Sequence, residues 1–145
     1  MFERILVVCT GNICRSPVAE AFLKQRLPER HISSAGLGAL EGEPVSAFAR
    51  QLAEADGLDV TSHQARQLTV TMIQEADLIL VMSEGQRRAV GQHVPQALGK
   101  TLLLGRWLDN GKGRNIPDPY RKSREVFEHI HMLLKDAALT WAERL

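Results

Sequence analysis

Two short runs constrain this chain more than any other feature. RILVVC (4–9) and DLILVM (77–82) are apolar and rich in branched side chains, with no alternation of polar and apolar positions. Such runs read as strands buried on both faces, the kind found in parallel sheets. Between them the spacing becomes helical. Ser16 and Pro17 read as a hydroxyl N-cap followed by proline at the first helical position. Ala19, Phe22, Leu23 and Leu27 then share one face until Pro28. HISSAG (31–36) is a weaker strand. Pro44 opens a second helix, with Val45, Phe48, Ala49 and Leu52 at helical spacing and an end near Gly57. TSHQARQL (61–68) reads as loop, and a short helix is predicted over 69–76. A polar helix begins at Glu84 and stops before Pro95, and TLLL (101–104) is a last short strand. A long loop rich in Gly, Pro, Asn and Asp follows; loops of that length carry function or mobility. Ser123 caps a final helix whose predicted buried stripe is Val126, Ile130, Leu133, Leu134, Ala137 and Trp141.

Alternating strands and helices imply an α/β fold: a parallel sheet flanked by helices on both faces. The 145 residues suit a single domain, 1–145. In such sheets ligands bind beyond the carboxyl ends of the strands. Cys9 ends the first strand, and residues 10–15 lie at that end.

Composition removes several function classes. The net charge of +1 provides no global field for nucleic acid or an anionic membrane. There is no basic stripe with stacking aromatics to read a nucleic acid. No apolar run approaches a membrane span, and MFERILVVC is too short for a signal peptide. Cys9 and Cys14 are the two cysteines, and no Cys/His set has zinc spacing. The expectation is a cytoplasmic, reduced protein with neither metal nor cofactor.

The stretch CTGNICRSP (9–17) combines a thiol, small turn residues, an arginine and a helix start. Backbone amides in a loop entering a helix can form an anion nest, reinforced by the helix dipole. Such surroundings favour a thiolate nucleophile. The Arg15 guanidinium is a planar fork suited to two oxygens of a tetrahedral anion. Nucleophile and oxyanion cradle together are what covalent phosphoryl transfer needs. Taken singly, Cys9 also fits a small buried hydrophobe and Arg15 a surface cation.

The whole string resembles the signature loop of the low-molecular-weight protein-tyrosine phosphatases. SSAG (33–36), SHQARQL (62–68) and DPYRKS (118–123) resemble further segments of that family, in the same order. The resemblance implies a three-layer, four-stranded parallel sheet flanked by helices, of the phosphotyrosine-phosphatase I type. It implies Cys9 as nucleophile, Arg15 as the phosphoryl-binding residue and Asp118 as general acid and then general base. Thr10, Gly11, Asn12, Ile13, Cys14 and Ser16 complete the phosphate-binding loop, with Ser16 hydrogen-bonding the sulfur. Ser34 and His63 would support the loop through Asn12, a residue type suited to a left-handed backbone. Leu40 and Tyr120 would wall the substrate cleft. Arg114, Arg121, Lys122 and Arg124 read either as a basic rim or as ordinary solvated charge. Cys14 reads either as packing beneath the loop or as a partner for a protective disulfide with Cys9.

The Leu40 loop and the Arg after DPY resemble the bacterial branch associated with tyrosine autokinases and exopolysaccharide export. The implied activity is hydrolysis of protein phosphotyrosine by a monomer, with a tyrosine autokinase as substrate. Arsenate reduction on this scaffold needs thiols outside the loop, and the chain has none. Protein-arginine phosphatase is the nearer alternative, although those enzymes tend to carry threonine where this chain has Ile13. A non-catalytic phosphotyrosine-binding module would need neither Cys9 nor Asp118.

Overall fold

The computed structural model describes residues 2–145. Four parallel strands form one sheet: β1 (Arg4–Cys9), β2 (His31–Gly36), β3 (Leu78–Val81) and β4 (Thr101–Leu103). Their order across the sheet is β2-β1-β3-β4. β1 is therefore central, with Val7 opposite Ser34 on one side and Leu80 on the other. This explains the unbroken apolar run: both faces of β1 and β3 are covered, and Ile5 to Cys9 are all buried.

Five α-helices connect and cover the strands: α1 (Arg15–Arg26), α2 (Ala47–Ala55), α3 (Val70–Glu75), α4 (Glu84–His93) and α5 (Arg124–Ala142). Ile5, Val7 and Cys9 pack with α1, α2 and α5, through Leu23, Ala53 and Leu134 among others. Leu6 and Val8 point the other way, to Ile73 of α3 and Val90 of α4. The period-two alternation of β1 thus divides one strand between two apolar layers. Each large side chain so buried contributes about 1.5–3 kcal/mol relative to exposure. The three-layer α/β architecture expected from the sequence is the one observed.

Several local expectations are corrected. Helix α1 begins at Arg15 with Cys14 in the N-cap position, and no side chain caps it. Ser16 and Pro17 lie inside the first turn, because the Ser16 hydroxyl is used by the loop described below. Helix α2 starts at Ala47, three residues after Pro44. On α5 Ser123 does cap the helix, accepting from the Val126 amide. Val126 itself is exposed and Leu133 only partly buried; Phe127, His131 and Ala138 join the buried stripe with Ile130, Leu134, Ala137 and Trp141.

The long segment after β4 is closely tied down. It opens with a 3-10 turn over Leu104–Trp107. Arg114 N donates to Gly105 O at 3.1 Å, and Ile116 N donates to Met82 O at 2.8 Å. A Cβ on Gly105 would collide with the Arg114 carbonyl, so this close approach requires glycine. The effect is to carry residues 116–120 back to the carboxyl end of the sheet, beside Cys9.

Candidate active site

The turn from β1 into α1 is built by turning its carbonyls outward. Cys9 O accepts from Leu37 N, Thr10 O from Gly38 N, and Gly11 O from Leu40 N, at 2.9–3.1 Å. Asn12 O lies 2.7 Å from His63 Nε2, and Ile13 O accepts from Ser46 N at 2.9 Å. A peptide whose carbonyl is directed outward directs its N–H inward. Among the described residues none of the amides of 11–14 donates to a protein acceptor. The result is a concave set of donors around the end of β1, with the start of α1 behind it.

Asn12 fixes this shape. It has a left-handed backbone, φ 59°, in a wholly buried position. Its Nδ2 donates to Ser16 Oγ at 2.7 Å and to Ser34 Oγ at 3.0 Å, and its Oδ1 accepts from Arg66 N at 2.9 Å. The Ser16 hydroxyl is 2.9 Å from Cys9 Sγ. Because Ser16 Oγ already accepts from Asn12, its own proton is free to point at the sulfur. Asn12, Ser16, Ser34 and His63 are thus linked to Cys9 through one set of hydrogen bonds.

Arg15 is 4% exposed. One guanidinium nitrogen donates to Ile116 O at 2.8 Å. The other is 3.5 Å from Thr10 Oγ1 and 3.6 Å from Asp118 Oδ2. Its Nε is buried and has no partner. Asp118 is 44% exposed, and its Oδ1 accepts from Tyr120 N at 3.0 Å, which sets the Asp-Pro-Tyr turn. Cys9, Arg15 and Asp118 line one cleft of about 140 Å³, together with Thr10, Gly11, Ile13, Cys14, Gly38, Leu40 and Tyr120.

Cys14 lies at the back of this cleft. Its Sγ is 3.2 Å from Ser46 Oγ, and burial pushes its thiol up to about 11 despite that hydrogen bond. That shift favours the protonated thiol at neutral pH. Both cysteines are free. Of the basic residues beside this loop, Arg121 lies over the Tyr120 ring and Arg124 bonds Glu128 and Gln51.

Four contributors were not read from the sequence. Arg66 ties the 61–68 segment to the loop through its amide, and its Nε donates to Ser34 O at 2.8 Å. Gln86 accepts from Met82 N and donates to Thr10 Oγ1. Ile116 supplies the carbonyl that anchors Arg15. Gly36 lets the loop pass so close that a Cβ there would collide with the Thr10 carbonyl. Arg66 and Gly36 stand inside the quoted segments SHQARQL and SSAG, which was the available signal. Gln86 and Ile116 act across distances that no local pattern reveals.

Several known proteins are similar to this chain in sequence and fold. A putative low molecular weight protein-tyrosine-phosphatase of Klebsiella pneumoniae is 46% identical over 145 residues, covering 100% of this chain and 99% of that protein. The solved structure of Vibrio vulnificus Wzb in complex with benzylphosphonate superposes with a TM-score of 0.95 at 44% identity, covering both chains fully. The YwlE arginine phosphatase of Geobacillus stearothermophilus is more distant: TM-score 0.89 and 34% identity, over 97% of this chain and 91% of that one. Residues 4–145 match the family model described as low molecular weight phosphotyrosine protein phosphatase. With its outward-turned loop around Cys9 and a match over nearly its whole length, the chain belongs to the low molecular weight phosphotyrosine protein phosphatases.

Proposed function

We propose that this protein hydrolyses phosphotyrosine in proteins through a phosphocysteine intermediate. The observation that carries the reading is the Arg15 Nε, buried without a partner in the cleft that holds Cys9. A buried donor left unpaired costs about 1–3 kcal/mol, which an oxyanion bound there would recover. Arg15 and the inward amides would hold the phosphoryl oxygens and strengthen their hold as charge builds in the transition state.

In the first step Cys9 Sγ attacks phosphorus and the bond to the phenolic oxygen breaks. Asp118 gives that oxygen its proton, so tyrosine leaves neutral. In the second step Asp118, now a carboxylate, takes a proton from water as the water oxygen attacks phosphorus. The sulfur–phosphorus bond breaks, phosphate departs, and the Ser16 hydroxyl stabilises the returning thiolate. Leu40 and Tyr120 provide an aliphatic and an aromatic wall for the ring. Asn12, Ser34 and His63 position the loop and do not touch the reacting atoms.

The chemistry of benzylphosphonate, a phenyl ring linked to a tetrahedral anion, matches this division of the cleft. The substrate we propose is a bacterial tyrosine autokinase of an exopolysaccharide system, in keeping with the branch the sequence resembles. The protein would act as a cytoplasmic monomer; no described helix is long and apolar enough to cross a membrane. The likeness to an arginine phosphatase supports one second reading, phosphoarginine as substrate on the same loop. Against it stands Ile13, whose apolar side chain in the cleft suits a phenyl ester.

The test is phosphate release from a phosphotyrosine peptide and from a phosphoarginine peptide, in chelator, by wild type and Cys9→Ser. Cleavage of phosphotyrosine alone, by wild type alone, is expected. Comparable turnover by Cys9→Ser would exclude the phosphocysteine route. Preference for phosphoarginine would transfer the same chemistry to the second substrate.

A further inference from the structure

A second depression, of about 520 Å³, adjoins the catalytic cleft. The two share Ile13, Leu40 and Tyr120 and so meet across those side chains. Leu40 and Tyr120 are among the most exposed large apolar residues, at 42% and 41%. The depression extends from them along Pro44 and Val45 to the first turn of α2, ending at Arg50. A polypeptide whose phosphotyrosine ring stands between Leu40 and Tyr120 must leave the cleft over this rim. The adjoining depression offers it an apolar wall where it does so.

We infer that this groove binds the substrate segment next to phosphotyrosine, and that Arg50 selects an acidic residue within it. The inference deepens the phosphatase reading and rests on it. Arg50 is half exposed and held by Glu54 at 3.6 Å, a loose pair that a substrate carboxylate can replace. The first turn of α2 has no acidic residue, and Ser46 bonds Cys14 instead of capping the helix. The peptide dipoles of that turn therefore add to the positive charge of Arg50. Glu43 is the acid of the groove, set in the Leu40 turn through its own backbone.

The test uses the full chain and phosphotyrosine peptides flanked by Glu, Ala or Lys. kcat/KM for each peptide is divided by kcat/KM for p-nitrophenyl phosphate, which is too small to enter the groove. Wild type is expected to favour the Glu-flanked series. Arg50→Ala should cut that preference about threefold to fivefold, and Arg50→Glu should reverse it. Ala47→Trp, which crowds the groove, should lower the ratio for all peptides. Flat ratios in these variants with intact aryl-phosphate turnover would overturn the groove and leave the phosphatase standing. Ala47→Trp converting a dimer to a monomer with flat ratios would assign the groove to a second copy and also overturn the inference. Failure of wild type on both aryl phosphate and peptides would overturn the phosphatase reading itself.

Discussion

Asp118 is held by two contacts of different kinds. One oxygen accepts from the Tyr120 amide, and the other faces Arg15 at 3.6 Å. The amide bond sets the direction of the carboxyl without burying it, so the group can exchange its proton with water between steps. Proton transfer by a positioned acid accelerates such reactions about 10²- to 10⁴-fold. Asp118→Asn is therefore expected to slow phenyl phosphate by about that factor and to slow aryl esters with good leaving groups much less. A plot of log kcat against leaving-group pKa should be steeper for the variant; parallel lines would remove Asp118 as the acid. Cys14 shows the opposite logic. Its thiol, raised to about 11 by burial, stays protonated through the neutral range. Iodoacetamide at pH 8 should leave Cys14 unlabelled in the native protein, as peptide mapping would report.

At the level of elements, the turn between β1 and α1 depends on the approach of β2. Gly36 closes that strand where the loop passes over it, and its partner in the ladder is Cys9 itself. Gly36→Ala would drive a methyl group into the Thr10 carbonyl and against Asn12. The loop must then move, and the inward amides lose their common focus. kcat/KM on aryl phosphates is expected to drop at least about tenfold, with a stability loss of about 1–3 kcal/mol by thermal unfolding. Unchanged activity would show that the loop tolerates a wider path. The strands themselves were legible because burial on both faces leaves an unalternating apolar run, as in ILVV of β1. The start of α1 was not legible in the same way. Ser16 and Pro17 have the composition of a cap, but a capping hydroxyl must accept from an amide of the first turn, and here Ser16 Oγ accepts from Asn12 Nδ2 and faces Cys9 Sγ instead. Val126 failed for a related reason: periodicity locates a stripe but not its exact centre, and Phe127 took the buried side.

In the whole molecule, α5 is bound to α2 by a polar contact away from the cleft. His131 is buried, with Nε2 2.6 Å from Asp56 Oδ2, and Lys135 reaches the other oxygen at 3.2 Å. The bond from His131 is the main cause holding the Asp56 carboxyl below its ordinary range, with Lys135 adding to it. A depressed carboxyl stabilises the fold above its unfolded pKa, and that gain is lost as pH falls through the folded value. Asp56→Asn should cost about 1 kcal/mol at neutral pH, discounted for partial solvent screening, and nothing in strong acid. Thermal melts of both proteins should therefore converge as pH falls below the carboxylate range. A constant gap would mean that the carboxylate charge contributes nothing. The site as a whole was readable where its members cluster in sequence, as in residues 9–17. Ile116 and Gln86 escaped because their contribution is a carbonyl and an amide delivered across the fold.

The outward carbonyls of residues 9–13 have an evolutionary consequence. Recognition that depends on main-chain N–H groups cannot be deleted by replacing a side chain, provided the peptide path survives. Thr10, Gly11 and Ile13 could therefore be exchanged for other residues that tolerate the same path, altering what fits above the anion while the cradle beneath persists. Divergence within such a lineage would fall on the rim and its neighbours, and inheritance would preserve the chemistry by preserving a shape.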